Sequence, residues 1–214
     1  MKKSLLFLLS LFAALFLSAC RGGYEAESRY IISAIGFDSR ENGLFATAEA
    51  VLAEATEESS NTVVFGASGT TPEDAFKEME AHLPMALAFD HCGAVVLGDG
   101  LSCEQVSAIM KFCRDKSSLN LAVLIVRAEN AEELFSCNVP EAYCVGYCLM
   151  GIIKKASSLQ DRDFSNRFYE VENRLSSTSP CEIQLPIFNA AGRHLHFGGL
   201  ARISEKGDVD YAAE

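Results

Sequence analysis

The chain has 214 residues, 49% of them apolar, which is enough for one sizeable core or two small ones once a leader is set aside. Its 29 acidic against 18 basic residues leave a formal charge of −11, which argues against nucleic acid as a partner because phosphate recognition needs clustered Lys and Arg. Past the first twenty positions no segment approaches the roughly 18 consecutive apolar residues of a membrane-spanning helix.

Lys2 and Lys3 make a short positive start. Residues 5–17 then form an apolar run of about 13, the length of a secretory h-region and too short to cross a bilayer. Leu17-Ser18-Ala19-Cys20 follows as a lipobox. Small residues at Ser18 and Ala19 suit a signal peptidase pocket, and the Cys20 thiol is the nucleophile that takes a thioether-linked diacylglycerol before cleavage frees its amine. Each buried methylene contributes about 0.8 kcal/mol, so two acyl chains anchor where one would not. The expectation is a lipoprotein signal peptide over 1–19, lipidation at Cys20 and a polar tether over 20–28. The mature domain would then sit on the extracytoplasmic face of a membrane.

Residues 29–37 (RYIISAIGF) read as a strand stopping at Asp38. Residues 39–43 carry turn chemistry and 44–54 alternate like a second strand, giving a hairpin with a longer loop. A polar loop at 57–61 precedes a third strand over 62–68. Thr71-Pro72-Glu73-Asp74 is a helix start, with Thr71 as cap, Pro72 in the first turn and carboxylates at the positive end of the dipole. Ala75, Phe76, Met79 and Leu83 share one face, and Pro84 ends the helix. Residues 91–97 are the next strand, and Ser102 with Gln105 forms a capping box for a helix reaching about Lys116. Residues 121–127 (LAVLIVR) are apolar on both faces, as in a central buried strand. Asn130 with Glu133 caps a brief helix before Pro140. Two further helices are expected over 141–156 and 164–175, and a pair of strands over 182–188 and 194–203. Lys206-Gly207-Asp208 is a turn with a return strand barely begun. The order of strands and helices predicts an α/β (mixed α+β) fold, a central mixed β-sheet flanked by helices, with a C-terminal strand pair.

Besides Cys20 there are seven cysteines, at 92, 103, 113, 137, 144, 148 and 181, with no C-x-x-C spacing. Several occupy apolar positions, so mostly buried thiols are expected, packing as small hydrophobes. Asp90-His91-Cys92 offers a carboxylate, a base and a nucleophile, but consecutive residues of a strand point to opposite faces and cannot relay. His194 and His196 share a strand face without a third ligand in view, and the 144/148 pair has no nearby His for a metal. Walker, G-x-G-x-x-G, G-x-S-x-G and H-E-x-x-H motifs are all missing, and Gly66-Ala67-Ser68-Gly69 is only loosely a phosphate turn. The residues themselves support no enzyme, cofactor or metal site.

Several stretches, in order, resemble one family. They are Ser33-Ala34-Ile35-Gly36-Phe37-Asp38, Thr71-Pro72-Glu73-Asp74-Ala75-Phe76, and the strand from Phe89-Asp90-His91 to Gly98. Phe112-Cys113-Arg114-Asp115 with Leu119-Asn120-Leu121, Leu185-Pro186 and Gly199-Leu200-Ala201 continue the set. Together with the lipobox they are similar to the C-subunit lipoproteins of spore germinant receptors, the Ger(x)C family, with the N-terminal domain spanning 29–203. The resemblance implies a non-enzymatic subunit acting in nutrient-triggered spore germination, acylated (palmitate) at Cys20 and carrying no cofactor. It implies two partners, the integral membrane A and B subunits, at the outer surface of the spore inner membrane. The tether lacks the family's Trp-Asp. Family members also continue into a C-terminal domain, so 204–214 is read as the truncated start of that segment. The alternative is a solute-binding lipoprotein of a transporter, which needs two comparable lobes around a cleft.

Overall fold

The computed structural model describes residues 29–52, 62–137, 139, 144–176, 183–191, 194–203 and 209–212; the signal sequence and the lipobox, Leu17, Ser18, Ala19 and Cys20, lie outside them. β1 (Arg29–Arg40) pairs antiparallel with β2 (Gly43–Val51), and β2 with β3 (Thr62–Gly69). Next come α1 (Pro72–Ala81), β4 (Ala86–Ala88), β5 (Ala94–Gly98), α2 (Cys103–Asp115) and β6 (Leu124–Ala128). Helices α3 (Ala131–Leu134), α4 (Val145–Gln160) and α5 (Phe168–Leu175) lead to β7 (Gln184–Ala191), β8 (His194–Ile203) and β9 (Val209–Ala212).

Among the described residues all nine strands belong to one mixed sheet in the order β3-β2-β1-β5-β6-β7-β8-β9, with β4 beside β1. The centre, β1-β5-β6-β7, is parallel, and antiparallel strands extend it on both sides. This is the expected mixed α/β architecture, including the C-terminal pair β7 and β8. Every residue of β5 and β6 is buried, because parallel strands have helices over both faces. Val95, Leu97 and Ile125 enter one core with residues of α1, α2 and α5. Ala94, Val96 and Val126 enter a second core, under α3 and α4.

The capping signals were legible. Thr71 Oγ1 accepts from the Asp74 N–H at 3.1 Å, Ser102 and Gln105 close their box, and Asn130 Oδ1 accepts from the Glu133 N–H. Element ends differ from expectation. The first strand runs through Asp38 to Arg40, and the hairpin closes over only Glu41 and Asn42. Asp38 stays in the ladder because its carboxylate is engaged by a helix. The strand expected from His91 begins at Ala94, with Asp90 and His91 in a turn closed by Cys92 N–H to Phe89 O at 3.0 Å. β4 carries too short an apolar signal to stand out beside Pro84. Residues 121–122 turn before β6, since the Ala122 N–H is taken by Asn120 Oδ1.

β1 contains a bulge. Ile32 faces Ala50 and Ala34 faces Glu49, leaving Ser33 as the extra residue.

Candidate functional site

The motif phenylalanines meet in space. Phe76 on α1 stacks on Phe112 of α2 with centroids 5.0 Å apart, and meets Phe37 of β1 and Phe89 edge-on at 5.9 and 5.5 Å. Phe37 also reaches Phe112, and Lys116 Nζ lies 4.6 Å from the centroid of Phe89. These stretches therefore hold β1, α1, α2 and the turn before β5 around one aromatic centre.

Two strand carboxylates cap helices on the opposite face. Asp38 accepts from the N–H groups of Ala131 and Glu132 at 2.8 and 3.0 Å, at the start of α3. Two glycines of the recognised motifs make room for it. A Cβ on Gly36 would lie 2.6 Å from the Phe135 ring, and one on Gly98 would strike the Asp38 carboxylate. Glu49, the one charge in β2, is 1% exposed and accepts from Ser33 Oγ at 2.5 Å and from the N–H groups of Val145 and Gly146 at 2.9 and 3.3 Å. Cys144, at the cap position of α4, makes no side-chain cap, so Glu49 supplies one from another element. Burial pushes the Glu49 carboxyl above its ordinary value, opposed by the Ser33 hydroxyl and the two amides. Sequence reasoning missed Glu49, although a lone acid in the alternating strand GLFATAEAV was the available signal.

At the end of β6, fully buried Arg127 donates through Nη2 to Asp99, while Nε and Nη1 have no partner. Burial places this guanidinium inside the fold rather than on a ligand-accessible wall.

The residues weighed for chemistry do not assemble. Asp90 and His91 are exposed and Cys92 is buried, its Sγ donating to Ala94 O and its pKa pushed up to about 12 by burial. A thiol so hard to ionise is not a nucleophile. His194 and His196 stand exposed on β8. Cys92, Cys113, Cys137 and Cys144 are buried thiols and Cys148 is half-buried. Cys103, read as another packed thiol, is instead disulfide-bonded. Among the described residues no three His, Cys, Asp or Glu side chains gather as a metal site.

Depressions open to a ligand lie among the described residues. One of about 60 Å³, beside Asn130 and Asn189, holds little more than water, and one of 210 Å³ lies by Arg162, Phe164 and Phe197. Another, of 790 Å³, is an open groove between the outer edge of β3 and α1, walled by Gly66, Ala67 and Ser68 on the strand and by Asp74, Lys77, Glu78, Ala81 and His82 on the helix. Its volume falls in the range of about 300–1,000 Å³ typical of ligand sites. The Gly66-Ala67-Ser68-Gly69 segment lines it as a flat strand and not as a phosphate turn.

No curated protein and no solved structure matches the chain. Residues 23–189, more than three quarters of the sequence, match the family described as the spore germination protein N-terminal domain. That span contains the aromatic centre, both carboxylate caps and the β3 groove. The chain belongs to the spore germination protein N-terminal domain family, the family its motifs resemble.

Proposed function

We propose that this protein is a membrane-anchored lipoprotein subunit of a spore germinant receptor, acting without catalysis in nutrient-triggered germination. The observation that carries the reading is the adjacency of two signals: a lipobox at Leu17-Ser18-Ala19-Cys20 and, three residues on, the start of the germination domain at residue 23. In this reading Cys20 is diacylated and residues 1–19 are removed. The domain stands on the outer surface of the spore inner membrane beside two integral membrane subunits, A and B. Its folded part supplies a rigid body and docking surface, consistent with buried thiols and uncoupled histidines. The alternative, a solute-binding lipoprotein of a transporter, is less well supported, because the described residues build one continuous sheet and not two lobes around a cleft.

Deleting the gene from a spore-former tests this. Germination in nutrient should slow while vegetative growth is unchanged, and normal germination in a strain with no second copy would refute the role. A Cys20→Ala variant should lose palmitate labelling and leave the membrane fraction. Retention of that variant in membranes would show that protein contacts and not lipid hold it.

A further inference from the structure

The sheet ends on one side at β3, whose outer edge has no partner strand among the described residues. Exposed edges are usually blunted by charged side chains, proline or a bulge. β3 (TVVFGASG) has no charge and no proline, and it pairs with β2 from Leu44–Gly69 to Val51–Thr62 without a register break. Along residues 64–68 its outward N–H and C=O groups form a ladder with which no described strand pairs. Val64 is 44% exposed and Gly66 and Ser68 are exposed, so nothing bulky screens that ladder.

α1 runs beside this edge and turns it into a groove. The strand wall is made of small residues, which leaves space at the backbone for another backbone. An edge strand flanked by a helix is the arrangement in which extended peptides add to a sheet, their main chain pairing with the strand and alternate side chains facing the helix. The groove volume of 790 Å³ accommodates such a segment.

The helix decides what kind of segment. Toward the groove it presents Asp74 and Glu78 against Lys77, with His82 at the end, while Glu73 and Glu80 add to the helix's exposed negative charge outside the lining. The Thr70 hydroxyl donates to Asp74 at 2.6 Å and fixes that carboxylate at the rim. A second copy of this chain, paired edge to edge across a two-fold axis, would set one acidic α1 against another. A strand bearing Lys or Arg would instead find complementary charge.

We propose that the groove between β3 and α1 binds an extended basic segment of a different protein, added as a strand to the free edge of β3. The proposal rests on the groove and not on the receptor role, so peptide binding and germination are separate readouts.

The test uses the full chain in mild detergent and a fluorescent peptide, Lys-Val-Lys-Val-Thr-Val-Lys. Hydrogen exchange should slow in 62–69 on mixing. Affinity should fall by about tenfold or more when alternate peptide amides are N-methylated, when its lysines become glutamates, and in the Glu78→Lys variant, which reverses a charge on the groove wall. An unchanged urea midpoint for that variant separates lost binding from lost folding. Equal binding of the N-methylated peptide, or no protection at millimolar peptide, overturns the proposal. Protection of β3 that rises with protein concentration alone overturns it as well, in favour of a second copy.

Discussion

Truncating Phe76 to alanine probes the aromatic centre most directly. The side chain is 2% exposed and touches three other rings, so its loss removes apolar burial and leaves a cavity walled by Phe37, Phe89 and Phe112. Buried Phe to Ala changes cost about 3–5 kcal/mol, a large part of the roughly 5–15 kcal/mol that holds a domain folded. With a urea slope of about 2 kcal/mol per molar, the midpoint should fall by about 1.5–2.5 M at unchanged slope. Equilibrium unfolding followed by circular dichroism measures this. Of the total, the stacked contact with Phe112 should account for about 0.5–1.5 kcal/mol, read as the coupling in a Phe76/Phe112 double-mutant cycle. A midpoint shift below about 0.5 M, or no coupling, would refute the view that these motif phenylalanines are kept for packing.

Other expectations follow from the buried polar groups. Because the Glu49 carboxyl is raised in the folded state, its contribution is fully present below the ordinary value of 4.5 and is lost as pH rises through the folded value. The stability of the wild type relative to Glu49→Gln should therefore decline as pH rises from about 4 to 7; a difference that grows over that interval contradicts the argument. Asp38→Ala should cost about 1–2 kcal/mol by stranding the amides of Ala131 and Glu132, with Asp38→Asn recovering part of it in thermal unfolding. Replacing both members of the pair, Arg127→Met with Asp99→Asn, should be neutral or stabilising by up to about 4 kcal/mol, since it removes a buried guanidinium with two unpartnered nitrogens without stranding the carboxylate. A loss of more than about 2 kcal/mol in that variant would mean that the Asp99 pair is net favourable.

What could be read from sequence was local. Caps at Thr71, Ser102 and Asn130 depend on residues three apart, and the apolar run of β5 and that leading up to Arg127 in β6 announce central strands. The motif phenylalanines were visible, but their meeting was not, because Phe37 and Phe112 are brought together only when α2, in the crossover from β5 to β6, packs against β1. Glu49 and Asp38 were equally opaque. A carboxylate in a strand looks like a solvated position or a strand end until the helix it caps is placed over it. Cys103 misled for the same reason: an apolar helix position says that sulfur is buried and says nothing of what it is bonded to. The groove beside β3 has no motif at all, since its content is backbone and its walls are alanine, glycine and serine.

The bulge at Ser33 gives that position an unusual kind of constraint. Ile32, Ile35 and Phe37 enter the same core although Ile32 and Ile35 are an odd number of residues apart, and only the extra residue brings their side chains into phase. Substituting Ser33 would disturb its hydroxyl's contacts with the carboxylate and the carbonyl of Glu49. Deleting it would rotate Ile32 and all that precedes it onto the wrong side of the sheet, exchanging core for surface at the start of the fold. At this point the chain guards its length more strictly than its composition, so natural variants should differ there by replacement and hardly ever by insertion or loss.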